Sequence, residues 1–202
     1  MKKQIVQILH NLLGKGIKSD GKTDVNKSVS QELTATESDK SDGTLQDESA
    51  VQLVERKSFE KIVNDSLNAG QGKGCLLVCD VDRCRDINDI YGRDTGDAVL
   101  RYVACVLCDI FGGYARIGSQ SNDVFALWLP EMSGDNADAI RKLTGMVNDR
   151  LLHPMGGIPP SSLSVGVSFY ESGDDCKSLM KRANKALYLV KESGRCGCEM
   201  SL

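Results

Sequence analysis

YARIGSQSNDVFALWL, running from Tyr114 to Leu129, holds two apolar segments, Tyr114–Ile117 and Val124–Leu129, on either side of a short polar loop. Two such strands joined so closely pair as a β-hairpin. A hairpin makes its sheet at least partly antiparallel, which separates this chain from an all-parallel Rossmann sheet. Upstream, Cys75–Val81 is a continuous apolar run of strand length, the pattern of a strand buried on both faces. Downstream, Leu163–Tyr170 alternates as a strand. Helical spacing predicts helices over Val51–Leu67, Asp97–Phe111, Asp135–Leu152 and Cys176–Glu192. The second is entered after Thr95-Gly96 and left at Gly112-Gly113. The order helix, strand, helix, strand, strand, helix, strand, helix gives one sheet flanked by helices, in the α/β or α+β class.

The flanking sequence divides into zones. Residues 2–18 carry four lysines and no acid, with Ile5, Ile8, Leu9, Leu12 and Leu13 at helical spacing. This predicts a short amphipathic helix that docks on its own domain, joins a dimer or touches a membrane surface. Residues 19–48 are polar, with almost no large apolar side chains, and read as a disordered linker. The folded domain is expected over residues 49–202.

Composition bounds the function. The chain has 202 residues, 41% hydrophobic and 26% charged, so one ordinary domain and a tail fit. A net charge of −3 argues against a nucleic-acid partner held by a basic surface. No apolar run reaches the roughly 18 residues of a membrane span. Gln4, Gln7, His10 and Asn11 interrupt the start, which therefore does not read as a secretory leader. A cytoplasmic address is expected, with peripheral contact at the inner membrane surface open to residues 2–18. The eight cysteines mostly sit within apolar patterns and read as reduced structural thiols rather than a zinc site. There is no GxxxxGK[ST] loop and no GxSxG. His10 and His153 stand alone, and Gly70, Gly72 and Gly74 precede a strand where a dinucleotide loop would follow one.

The chemistry concentrates in Asp80–Asp97, DVDRCRDINDIYGRDTGD. Asp80 and Asp82 lie two apart at the end of a buried strand and share a side. Two readings fit them: carboxylates for a hard cation such as Mg²⁺ shared with a phosphate, or caps of the following turn. Asn88 and Asp97 likewise fit two readings: an amide and a carboxylate reading a purine edge, or turn and helix-cap duty beside Gly92 and Gly96.

Asp80-Val81-Asp82, Ile87-Asn88-Asp89, Tyr91-Gly92 and Gly96-Asp97 resemble the first block of the GGDEF (diguanylate cyclase) family. Arg116-Ile117-Gly118 resembles the strand entering its signature hairpin, and Ser164-Val165-Gly166-Val167 its late strand. Ala186-Leu187-Tyr188, Lys191, Gly194 and Arg195 resemble its closing helix; Arg56 and Phe59 match the opening helix more loosely. The resemblance runs over about residues 48–197. It implies a palm-like fold with a mixed, largely antiparallel sheet of about five strands. It also implies condensation of two GTP into cyclic di-GMP and two pyrophosphates, usually by a homodimer. By position, Asp80, the Val81 carbonyl and Asp123 would hold Mg²⁺ or Mn²⁺. Asn88 and Asp97 would bind guanine, and Lys191 and Arg195 would hold the terminal phosphates. Asp123 would be the catalytic carboxylate.

The signature itself departs. Gly-Gly-Asp/Glu-Glu-Phe is replaced by Ser121-Asn122-Asp123-Val124-Phe125, with Ser119–Ser121 added to the usual spacing. The paired glycines, which would admit positive φ and close backbone approach, are lost, and Val124 replaces a carboxylate. Arg83, Cys84, Arg85 and Asn184 are milder replacements. The family's Arg-x-x-Asp feedback site corresponds to Asp109-Ile110-Phe111-Gly112, so product inhibition there is not expected. The resulting expectation is a GTP-binding regulatory or dimerisation module in cyclic di-GMP signalling, with weak or no catalysis. It would work alone, as a homodimer or with another protein of that signalling system. An active Mg-dependent diguanylate cyclase and a nucleotide-independent scaffold are the alternatives.

Overall fold

Apolar side chains on both faces of Cys75–Val81 put this strand, β1, at the centre of a five-stranded sheet. The computed structural model of the chain describes residues 53–69 and 72–201. The expected helix at 2–18 and linker at 19–48 lie outside those residues. In chain order the elements are α1 (Arg56–Asn68), β1, α2 (Cys84–Tyr91), α3 (Arg93–Phe111), β2 (Arg116–Ser119) and β3 (Val124–Leu129). A 3-10 turn at Gly134–Asn136 leads to α4 (Ala137–Leu152), then β4 (Leu163–Phe169), α5 (Cys176–Glu192) and β5 (Cys198–Met200). The sheet order is β2-β3-β1-β4-β5. Every neighbouring pair is antiparallel except β4 with β5. The mixed, largely antiparallel sheet flanked by helices is the expected class.

Alternation along β1 divides the core. Cys75, Leu77, Cys79 and Val81 join Val99, Val103 and Leu107 of α3 and Ile140, Leu143 and Val147 of α4 on one face. Leu76 and Val78 join Phe59 and Val63 of α1 and Leu179, Ala183 and Leu187 of α5 on the other. Each fully buried leucine contributes roughly 1.5–3 kcal/mol, so neither layer is dispensable. Trp128 of β3 is buried in the second layer and satisfies its indole by donating to Ser66 Oγ at 3.1 Å.

Several boundaries differ from expectation, each for a local reason. The first helix begins at Arg56 because Val54 is drawn to the edge of β2. Val54 N–H donates to Ile117 O at 2.9 Å and Ser119 N–H to Val54 O at 3.1 Å. The first hairpin strand is Arg116–Ser119, with Ser119 opposite Phe125. The stretch before Asp97, where no helix was expected, is helical: α2 ends at Gly92, whose φ of 86° suits glycine, and α3 starts directly after it. The short β5 had no strand signal of its own; it forms by parallel pairing along β4.

Candidate active site at the end of the central strand

β1 delivers Asp80 at its penultimate position, opposite Val124 on one side and Ser164 on the other. The carboxylate is half-buried and pairs with Lys191 Nζ, from the last turn of α5, at 2.8 Å. Burial pushes its pKa up, and the Asp123 and Asp82 carboxylates push the same way, while the Lys191 hydrogen bond and charge pull it back. Asp123 is therefore near enough to feel Asp80. The backbone links them as well, since Val81 N–H donates to Asp123 O at 3.0 Å.

Asp82 behaves differently. It is buried and accepts from Ser164 Oγ at 2.6 Å, Ser162 Oγ at 2.6 Å and Cys196 N–H at 3.1 Å. Neither aspartate caps the turn that follows; that reading does not hold. Asp80 stays available with a cation against it, whereas Asp82 is tied into the protein.

Asn88 and Asp97 come from α2 and α3, which meet at Gly92. Asn88 lies inside α2, and Asp97 lies in the second turn of α3 rather than at its start, so neither serves as a turn or cap residue. The helices approach closely where Gly96 faces Asn88 Oδ1; a methyl group at residue 96 would strike that oxygen. Asn88 and Asp97 line a cavity of about 660 Å³ together with Arg85, Asn122 and Asp123. Asp123 is thus shared between the cavity and the Asp80 neighbourhood.

The signature hairpin turns through Gln120–Asp123. Gln120 N–H donates to Val124 O at 2.8 Å, Ser119 Oγ to Ser121 O at 3.0 Å, and Ser121 Oγ to Asp123 Oδ1 at 3.4 Å. None of these loop residues has positive φ. The turn meets the loss of both glycines by avoiding left-handed backbone. Arg195 follows Gly194 beyond α5, and its N–H donates to Val190 O at 2.9 Å. Its backbone is linked to the site only through the next residue, Cys196, which bonds Asp82.

The donor set suits a hard divalent cation. Asp80 and Asp123 supply carboxylate oxygens, Val81 supplies a carbonyl beside them, and the Lys191 ammonium already sits where positive charge is favoured. Among the described residues no three His, Cys, Asp or Glu side chains converge as a closed metal cage. A cation here would complete its shell with water or phosphate oxygens, as Mg²⁺ commonly does. The residues missed in sequence were Ser162, Ser164 and the Cys196 amide around Asp82, and Asn122 at the cavity. The Ser161-Ser162-Leu163-Ser164 cluster after Pro159-Pro160 was the one available signal.

Comparison with known proteins agrees with this geometry. The family model "Diguanylate cyclase, GGDEF domain" matches residues 47–196. Diguanylate cyclase DgcM of Escherichia coli K12 is 34% identical over 128 residues, 59% of this chain and 29% of its own length. Diguanylate cyclase A of Treponema denticola is 30% identical over 122 residues, 59% of this chain and 33% of its own. The chain thus matches about a third or less of the length of these curated relatives. The GGDEF domain of DgcB from Caulobacter crescentus, solved in complex with c-di-GMP, superposes with TM-score 0.68 at 24% identity. That match covers 76% of this chain and 94% of that one. The active GGEEF domain of a Vibrio cholerae diguanylate cyclase gives TM-score 0.67 at 22% identity, over 75% and 99% of the two chains. With a family match across most of its length, and the elements of the fold in place around Asp80, Asn88 and Asp97, this chain belongs to the GGDEF family.

Proposed function

We propose that the chain binds GTP and acts as a regulatory or dimerisation module in cyclic di-GMP signalling, with weak or no cyclase activity. One contrast carries this reading. The cavity keeps Asn88 and Asp97, while the hairpin beside it has Val124 for a carboxylate and Ser121-Asn122 for two glycines. A carboxylate accepts from the N1–H and N2–H donors of guanine, and an amide NH₂ donates to its O6. Adenine turns an acceptor toward the carboxylate and is disfavoured. Lys191 and Arg195 supply cations for the terminal phosphates. Mg²⁺ held by Asp80, Asp123 and the Val81 carbonyl would neutralise phosphate charge when bound. Asp123 alone is left to orient that charge on the hairpin side, and phosphoryl transfer depends on positioning of this kind.

A second reading, an active Mg-dependent cyclase, is favoured by the Asp123 carboxylate lying close enough to raise the Asp80 pKa. Losing about 3–4 kcal/mol of transition-state stabilisation slows a reaction by two or three orders of magnitude without abolishing it. Titration of the chain with GTP and with ATP, each with Mg²⁺, tests the binding claim. GTP is expected to bind more tightly than ATP, and Asp97→Ala to weaken GTP by about tenfold or more, the worth of a hydrogen bond to a charged group. Equal affinity for the two nucleotides, or none for GTP, contradicts it.

A further inference from the structure

Asp82 is the buried acid of the 80–97 block, and nucleotide binding leaves it without a task. It is 6% exposed, and three donors converge on it. Ser164 Oγ bonds Oδ1, while Ser162 Oγ and the Cys196 N–H bond Oδ2. The serines fasten the end of β1 to the start of β4. The Cys196 amide comes from the turn after α5, and that turn is left-handed at two successive residues that are not glycine, Arg195 with φ 68° and Cys196 with φ 51°. Among the described residues the third non-glycine of this kind is Arg83, φ 54°, adjacent to Asp82 in sequence. Among the described residues, each left-handed residue that carries a side chain therefore either bonds Asp82 or is next in sequence to Asp82 or to the residue that bonds it. Cβ crowds the backbone in this conformation, so it persists only where surrounding bonds impose it.

We infer that Asp82 is a positioning residue. It holds the Arg195–Cys196 turn in its left-handed form and so fixes where the Arg195 side chain leaves the backbone. The ligand served is the polyphosphate of the bound nucleotide. The inference rests on the proposed GTP reading for the role of Arg195, and on the structure alone for the hold on the turn. Charge and position make opposite demands here. Removing a carboxylate close to a polyphosphate would by Coulomb's law tighten binding; losing the position of Arg195 weakens it.

The test uses the full chain with Asp82→Ala and Asp82→Asn, the latter keeping size and one acceptor in case the former does not fold. Hydrogen exchange across residues 193–198 is measured first, without nucleotide. Exchange is expected to accelerate in both variants, more in Asp82→Ala. Affinities for GTP and GMP follow, with Mg²⁺. Asp82→Ala is expected to lose about tenfold for GTP and little for GMP, with Asp82→Asn intermediate. Arg195→Ala is expected to cost a similar factor, and the double variant no more than either single one, because both changes remove the same contact. Unchanged exchange at 193–198 overturns the inference whatever the nucleotide does. Unchanged or tighter GTP binding in Asp82→Ala, or losses that multiply in the double variant, overturns the positioning role while leaving GTP binding standing. A wild-type chain that binds no GTP overturns the proposed function, and the phosphate role of Arg195 with it.

Discussion

Asp80 and Asp82, two residues apart, show how environment separates chemically identical groups. Asp82 accepts from two serine hydroxyls and a backbone amide, whereas Asp80 meets one lysine ammonium. Burial raises the Asp80 pKa above its ordinary value of 3.8. Between that value and the raised one the folded state holds more protons than the unfolded state. Stability contributed at this site therefore falls as pH rises through the window. Asp80→Asn is expected to flatten that slope in urea unfolding followed across acid pH, and to abolish the Mg²⁺ dependence of nucleotide binding. The thiols give a second residue-scale prediction. Burial pushes Cys176 up to about 11 and Cys79 higher still, and both stay protonated at neutral pH. Cys105 and Cys196 are exposed. Brief iodoacetamide treatment of the folded chain should label Cys105 and Cys196 while Cys75, Cys79 and Cys176 resist, as peptide mapping would report.

Among elements, contacts between helices and strands decide what a small substitution costs. Gly166 of β4 lies against the α5 backbone, where an added methyl would meet Ala183 O and Leu187 N. Backbone cannot step aside, so Gly166→Ala should destabilise by about 3 kcal/mol in denaturant unfolding. Gly96 provides the contrast. Its added methyl would meet only the tip of the Asn88 side chain, which can rotate, and alanine is the better helix former by about 1 kcal/mol. Gly96→Ala should leave stability nearly unchanged yet weaken GTP by about tenfold, because Asn88 is turned out of the cavity. The elements themselves were unequally legible. The hairpin, β1 and the long helices announced themselves by local apolar pattern. The α2–α3 junction did not, because Thr95-Gly96 imitates a helix entry while the actual break is at Gly92. β5 was hidden because three residues carry no period, and its pairing with β4 is tertiary.

At the scale of the molecule, one face of the sheet's end gathers residues far apart in sequence. Asp82 bonds partners 80, 82 and 114 positions away. Such bonds leave no spacing to read, which is why Asp80, Asn88 and Asp97 could be singled out from one block while the ties around Asp82 could not. The same gathering sets Asp80, Lys191 and Asp123 together beside the cavity that Asn88 and Asp97 line, and leaves the hairpin as the element most altered from the family pattern. The central claim is that nucleotide binding outlasts efficient cyclisation in this arrangement. The most direct test incubates the purified chain at high concentration with GTP and Mg²⁺ and identifies the nucleotides by mass spectrometry over time. The account predicts GTP recovered essentially intact, with at most a trace of cyclic di-GMP or its linear precursor. Rapid conversion of GTP to cyclic di-GMP, lost in an Asp80→Ala control, would contradict it and make the chain an efficient cyclase despite its hairpin.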